Sequence, residues 1–369
     1  MTEPMRNQYT PDTVSAPGET LLDVLESRGM SQSELADRTG RPKKTINEII
    51  KGKAAITPET ALQLEFVLGI PAAFWNAREQ HYREALARQK GTELLESQVE
   101  WLKRVPYHKL VARGWVSDQR EKSKQLQEVL LFFGVASTAS WNELWEGTQA
   151  AYRRSPTFKS EPGAIAAWLR KGELAAQEIA SAEFDAGRFK EALGKIRLLT
   201  SNLPTLFPSK VVSACSAAGV RVVFLPELPG TRVWGATRWL NQNCALMQLS
   251  LRYKTDDHLW FTFFHEAGHI LLHGKRCAFL EGEDQTEDEK ELEADSFARD
   301  WLIPERDYKN FRRLGASSCA AISRFAYELK IAPGIVVGRL QHDGVLARTE
   351  CSNLKKNIEW YFRREQVPE

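Results

Sequence analysis

Residues 257–274 read DHLWFTFFHEAGHILLHG. An apolar run of this length makes about four helical turns. Within it, His265 and His269 stand four apart, on one face of such a helix, and can present two imidazole nitrogens to a single ion. Glu266 lies one step round and within reach of a water on that ion. Neutral imidazoles suit zinc, and a catalytic zinc site keeps one position open for water. The pattern therefore predicts one zinc per chain, with Glu266 taking a proton from the water and returning it to a leaving amine. The plainer alternative, a buried helix with two satisfied histidines, explains neither the Glu nor the spacing. His273 extends the row by another four residues and reads as a cap at the helix end, where a cation is favoured, or as a group that supports the site from behind. A third histidine ten residues after His265 would complete one common zinc pattern, but Lys275 stands there. The third ligand must come from elsewhere.

The chain of 369 residues has room for two or three domains. A formal net charge of +2 means that any nucleic-acid footprint is local rather than global. Five cysteines are scattered without a CxxC pair, which fits a reducing compartment rather than a disulfide framework. No stretch reaches the roughly 18 apolar residues of a membrane span. These features lead us to expect a cytoplasmic protein.

Residues 1–16 are polar and expected to form a loose tail. In residues 17–70, Leu21, Leu22 and Leu25 mark one helix face, ended by Gly29. Ser31 followed by Glu34 is a capping box. The helix it starts stops at Gly40, and Ile46, Ile49 and Ile50 mark the next. Two short helices around a tight glycine turn are the helix-turn-helix signature. The second is basic, with Arg41, Lys43, Lys44, Lys51 and Lys53 against Glu48, which is what a major groove accepts. Pro42 fixes where that helix begins.

The stretch PGETLLDVLESRGMSQSELADRTGRPKKTINEIIKGKAAITPETALQLEFVLGIPAAFW resembles the XRE (Cro/C1-type) helix-turn-helix, specifically the HigA antitoxin type, over residues 17–85. The resemblance implies a homodimer on double-stranded operator DNA. It also implies that Gln32 contacts a phosphate and that Lys43, Lys44, Thr45 and Asn47 face the DNA. Arg41 and Lys51 join that set through the basic character of the helix.

Residues 86–204 are rich in Ala, Leu, Glu and Arg. They are expected to be helical, with helices near 121–133, 139–152, 162–180 and 187–199, forming a spacer or dimerisation region. Its tryptophans read as core anchors. From 205 the period changes. Val220–Leu225, Val233–Leu240 and Met247–Arg252 read as strands, with a turn at 241–243. Thr255-Asp256-Asp257 reads as the cap of the HExxH helix. Either of the last two strands is a candidate edge for an extended substrate. Residues 281–295 are acidic, and the run turns helical at Glu289. Ala294, Phe297, Ala298 and Trp301 make its apolar face. Glu291, Glu293 and Asp295 lie on or beside that face, with Glu291 nearest the stripe; periodicity alone leaves the third ligand open among them.

HEAGHILLH followed by ELEADSFARDWLIP resembles the ImmA/IrrE metallopeptidase family, over about residues 205–345. The resemblance maps the third ligand to Glu293, beside His265 and His269, and gives Asp295 a supporting role behind a ligand histidine. The implied fold is mainly α with a small α+β domain: a five-helix DNA-binding domain, a helical middle region, a zincin-like domain with a short sheet, and a tail from 346. The implied protein is a regulator carrying a gluzincin-like zinc endopeptidase that cleaves itself, a repressor or a toxin partner in stress, mobile-element or toxin–antitoxin control. The alternative is a non-proteolytic antitoxin whose peptidase-like domain only senses or binds a partner. Tyr253, His258, Arg252 and Tyr308 are candidates for stabilising an oxyanion.

Overall fold

The computed structural model describes residues 15–152, 161–201, 207–250, 252, 254–275, 278–282, 289–315 and 318–358, with the side chains of 146–152 and 281–282 excepted. Most of the expected tails, residues 1–14 and 359–369, and Tyr253 lie outside these. The chain divides into two compact units, Met1–Val99 and Glu100–Glu369. Among the described residues no helix is long and apolar enough to cross a membrane.

The first unit is five helices: α1 (Pro17–Ser27), α2 (Gln32–Thr39), α3 (Lys43–Ile50), α4 (Pro58–Leu68) and α5 (Ala72–Ser97). The capping box forms its first half, since the Ser31 hydroxyl accepts from Glu34 N at 3.1 Å. Gly40 ends α2 at φ 68°, a left-handed conformation open to glycine, which turns the chain tightly into α3. Pro42 immediately precedes α3. Leu21, Leu25, Leu35, Ile46, Ile49, Leu64, Leu68 and Trp75 close over one another as the core.

In the second unit a series of helices leads to the sheet: α6 (Tyr107–Ala112), α7 (Lys122–Phe133), α8 (Thr138–Tyr152), α9 (Pro162–Gln177), α10 (Ala186–Leu199) and α11 (Phe207–Ser216). Then come β1 (Val220–Phe224), β2 (Val233–Asn241), β3 (Cys244–Leu249), α12 (Asp256–Leu272), β4 (Phe279–Gly282), α13 (Glu289–Leu302), α14 (Glu305–Arg313), α15 (Cys319–Leu329) and α16 (Pro333–His342). The sheet order is β1-β3-β2-β4, with β1 parallel to β3 and the other pairs antiparallel. The pleat sends Val220, Val222, Ala245 and Met247 toward Trp260, Phe263, Phe264 and Ala267 of α12. It sends Val223 and Leu246 the other way, onto Ala176 of α9. The sheet thus lies between α12 and α9. Trp168 of α9 fastens the second contact: its indole donates to Leu225 O at 2.9 Å, and its carbonyl accepts from Gln248 Nε2 at 2.8 Å. Helices expected to be a spacer, α9 and α10, are therefore part of this unit's packing. Arg197 of α10 donates to the carbonyls of Trp301, Leu302 and Leu329, satisfying the open C-terminal ends of α13 and α15.

Three expectations are corrected. Neither β2 nor β3 is an edge: β3 runs between β1 and β2, and β2 pairs with the short β4. The cysteines are not all unpaired. Cys319 and Cys351 form a disulfide across 32 residues of sequence, a pairing their spacing does not reveal, while Cys215 and Cys244 are free and buried. Thr255 precedes α12 but makes no side-chain cap. Instead Asp256 Oδ1 accepts from Asp257 N at 3.0 Å and Lys356 N at 2.9 Å.

Asp256 is fully buried. Burial pushes its carboxyl up to about 6, the neighbouring Asp257 adds to this, and the two backbone N–H groups oppose it. A raised carboxyl pKa stabilises the fold below the ordinary carboxylate value, and that stability is lost as pH rises through about 6. Asp256→Asn is therefore expected to match the parent near pH 4 and to exceed it by roughly 3 kcal/mol at pH 8. Urea unfolding at the two pH values checks this; equal gains at both would show that Asp256 does not titrate as described.

Candidate metal centre and nucleic-acid interface

The metal centre is built where α12 and α13 touch. A Cβ on Gly268 would stand 3.2 Å from Ala294 Cα, so any larger residue would press α13 back by a few tenths of an ångström. That approach lets carboxylates on α13 reach imidazoles on α12. His265, Glu266 and His269 are essentially inaccessible to solvent.

Three atoms converge. His265 Nε2 lies 2.9 Å from His269 Nε2 and 3.1 Å from Glu291 Oε2, and the third edge, His269 Nε2 to Glu291 Oε2, is 3.5 Å. Tetrahedral donors around zinc stand about 3.4 Å apart, so the triangle has the right size. The outer hydrogen bonds suit the tautomers that a metal needs. His265 Nδ1 is 2.9 Å from Asp295 Oδ1. A carboxylate only accepts, so a proton on Nδ1 is held by Asp295, and in that tautomer Nε2 keeps its lone pair for a metal. On His269, Nδ1 is 2.9 Å from His273 Nδ1, and His273 Nε2 is 3.0 Å from Glu293 Oε2. Read from the carboxylate inward, His273 donates to Glu293, His269 donates to His273, and His269 Nε2 is left as a lone pair. In these tautomers three electron pairs face one another, an arrangement that suits a cation. These residues fit a zinc ion.

The electrostatics agree. Burial pushes His269 down to about 4, so it is neutral at pH 7. Burial alone would raise Glu291, but the two imidazoles beside it, when they carry a proton, reverse this and hold it at about 2. Both are already in the protonation states that metal binding requires.

The carboxylate that meets the two imidazoles is that of Glu291, whereas Glu293, the residue the family resemblance implied, does not reach them. The two glutamates are about 200° apart on a helix, so they cannot share a face. Glu291 is in one row with the fully buried Ala294 and Ala298, against α12. Glu293 is half exposed and reaches the site only through His273. Asp295, one turn after Glu291, lies 2.9 Å from His265 Nδ1.

Two further contributors escaped the sequence reading. Phe279 of β4 stacks on His269, with centroids 3.8 Å apart and planes at 11°. Gly235 of β2 faces Glu266, and a Cβ there would fall on Glu266 Oε1. A glycine inside a strand pattern was the available signal for such an approach. Of the oxyanion candidates, Arg252 pairs with Glu227 at 2.8 Å and Tyr308 donates to Asp343 at 2.6 Å. His258 sits near the start of α12, about two turns before His265.

In the first unit, Lys43, Lys44 and Lys51 are exposed on or just after α3. Lys44 is only 3.9 Å from Glu48. Asn47 donates to Gln32 Oε1 at 3.4 Å, bringing these two expected contacts together at the α2–α3 corner, with Thr45 half-buried on the same helix. Arg41 is engaged elsewhere. Its Nε donates to Gln63 and its guanidinium is 3.5 Å from Glu59, so it braces the corner against α4.

Residues 215–332 match the IrrE N-terminal-like domain of the peptidase M78 family, and residues 21–75 match a helix-turn-helix family. The chain joins a helix-turn-helix domain to an IrrE-like domain. The HExxH helix α12 and the helix α13 both lie inside the IrrE-like match. Similar solved structures include an addiction module antidote protein of the HigA family from Coxiella burnetii, at 28% identity, covering 23% of this chain and 92% of that one, with a TM-score of 0.21. Antitoxin GraA is 26% identical, covering 24% of this chain and 96% of its own, with a TM-score of 0.22. No curated protein matches the chain.

Proposed function

We propose that this chain is a DNA-binding regulator of antitoxin type, placed in the cytoplasm by its DNA target and not by its cysteines, two of which are paired, whose IrrE-like domain is a zinc-dependent endopeptidase, cleaving itself, a repressor or a toxin partner in stress or mobile-element control. The observation that carries this reading is the meeting of His265 Nε2, His269 Nε2 and Glu291 Oε2 within 3.5 Å, on the helix that also bears Glu266. Zinc, when bound by these three, would lower the pKa of a water to about 7 and polarise a scissile carbonyl. Glu266 takes the proton from the attacking water and delivers it to the leaving amine. Bare Gly235 lets its carboxylate lie against β2. Asp295 and the His273–Glu293 pair keep both imidazoles in the tautomer that points Nε2 inward. The terminal strand β4, whose Phe279 stacks on His269, is the edge on which we place an extended substrate.

The first unit would bind operator DNA as a homodimer, with half-sites about 34 Å apart. Leu62 and Phe66, exposed one turn apart on α4, supply apolar surface for self-association. Lys43 and Lys44 supply backbone affinity. Replacing both with glutamine is expected to reduce the slope of log K against log salt by roughly 2 per unit.

The reading is tested by incubating the purified full chain, alone and with the product of a neighbouring gene, and mapping fragments by mass spectrometry. Cleavage that stops with a chelator and returns with zinc supports it. Identical fragments with and without chelator would assign the cleavage to a contaminant and remove the peptidase claim.

A further inference from the structure

We propose that the cavity between α12, α13 and α16 binds a small aromatic or branched carboxylic acid. The cavity measures about 130 Å³, and Phe261, Leu302, Ile303 and Ile335 give it apolar walls. An engineered apolar cavity of ~150 Å³ takes up benzene, so a single ring or a branched chain of similar bulk is the right size.

Charge selects the rest of the ligand. Arg299, Arg339 and Asp257 also line the cavity. Asp257 is neutralised by Lys355 Nζ at 2.6 Å. Arg339 is held by Asp343 at 2.9 Å and lies 3.7 Å from Glu305. Arg299 is half-buried on α13 and has no carboxylate partner among the described residues. A half-buried guanidinium without a counter-charge carries a desolvation cost that an anionic group would relieve, and its planar fork suits a carboxylate. An apolar body with one carboxylate therefore matches both the walls and Arg299, the lining guanidinium without a carboxylate partner among the described residues. Phosphate offers the charge but nothing for the walls.

The site is distinct from the metal centre and independent of the peptidase reading. Even so, α12 and α13 form walls of one and supply ligands to the other. One turn along α12 separates Phe261 from His265, their rings 6.3 Å apart.

The test uses the full chain, with thermal unfolding and titration calorimetry against benzoate and benzamide at matched ionic strength. Benzoate is expected to bind with a dissociation constant of about a millimolar or tighter and to raise the melting temperature. Benzamide, isosteric but neutral, should bind at least about tenfold more weakly. Arg299→Gln should lose about tenfold or more for benzoate, and Ile303→Trp should abolish binding by filling the cavity. Carboxylates also ligate metals, so the titration is repeated after chelation, with unchanged affinity expected. Equal binding of benzamide, undiminished binding in Arg299→Gln, absence of any benzoate binding, or its loss on chelation would each overturn the proposal. Should Arg299→Gln melt early, Arg299→Lys decides: weakened but retained benzoate binding supports the assignment, and full affinity for both compounds refutes it.

Discussion

Replacing Glu266 by glutamine is expected to cut peptide hydrolysis by about 10²- to 10⁴-fold while leaving metal content and DNA affinity unchanged. Glutamine keeps the shape and buried position of the side chain, so α12 and its packing should survive. What it loses is the ability to hold a proton between the attacking water and the leaving amine, and that range is what a positioned general base contributes. Glu266 has no part in the triangle of His265, His269 and Glu291. Metal binding therefore separates from catalysis, and parallel measurements of cleavage rate, zinc content and operator binding check all three. Loss of zinc together with activity would mean that Glu266 holds the site together rather than moving protons. Undiminished cleavage would exclude the proposed mechanism.

The second large effect concerns residues that need not touch the metal. Removing His273 by substitution with alanine is expected to weaken zinc binding by about 10- to 100-fold, the usual consequence of losing a group that orients a ligand histidine. The reason is specific. His269 Nδ1 and His273 Nδ1 are 2.9 Å apart, and His273 passes the interaction on to Glu293 at 3.0 Å. Without His273, the protonated nitrogen of His269 loses its acceptor and the imidazole is no longer held in the metal-binding tautomer. Glu293→Gln should fall at the lower end of the range, because its amide oxygen still accepts from His273 although the charge is gone. Competition with a chromophoric chelator measures both. Equal affinity in the parent and His273→Ala would show that the chain of three residues is incidental to the site.

Much of this was legible in the sequence, for reasons that can be named. The HExxH pair needed only helical periodicity, and capping at Ser31 with Gly40 after it defined the α2–α3 corner from local chemistry. Strands β1 and β2 announced themselves through β-branched runs and alternation. The third was expected at Met247–Arg252 with one wet face, but β3 is Cys244–Leu249 and buried throughout: Gln248 donates to Trp168 O and Ser250 to Val233 O, so polar residues that suggested solvent are inside. What escaped depends on contacts distant in sequence. β4 is four residues, Phe279–Gly282, with no alternation to read, and its partner β2 lies some 40 residues earlier. Phe279 is at the site only because of that pairing. The disulfide joins positions 32 apart and follows from how α15 and the C-terminal segment meet. The third ligand is more instructive. Periodicity placed Glu291 nearest the buried row of Ala294 and Ala298, whereas a motif aligned by resemblance pointed two residues later. Two residues on a helix is a change of face, so the pleading of the pattern could not survive the geometry of Gly268 against Ala294. Arg41 shows the same limit: its charge suggested DNA, but whether Gln63 and Glu59 engage it depends on where α4 packs.

The most direct test of the metal centre is zinc content by plasma mass spectrometry on the parent protein, Glu291→Gln and Glu293→Gln, purified identically. The structure predicts about one zinc per chain in the parent and in Glu293→Gln, and little or none in Glu291→Gln. Zinc retained in Glu291→Gln and lost in Glu293→Gln would contradict the assignment of the third ligand, and a parent protein free of metal, even after incubation with zinc, would contradict the metal centre itself.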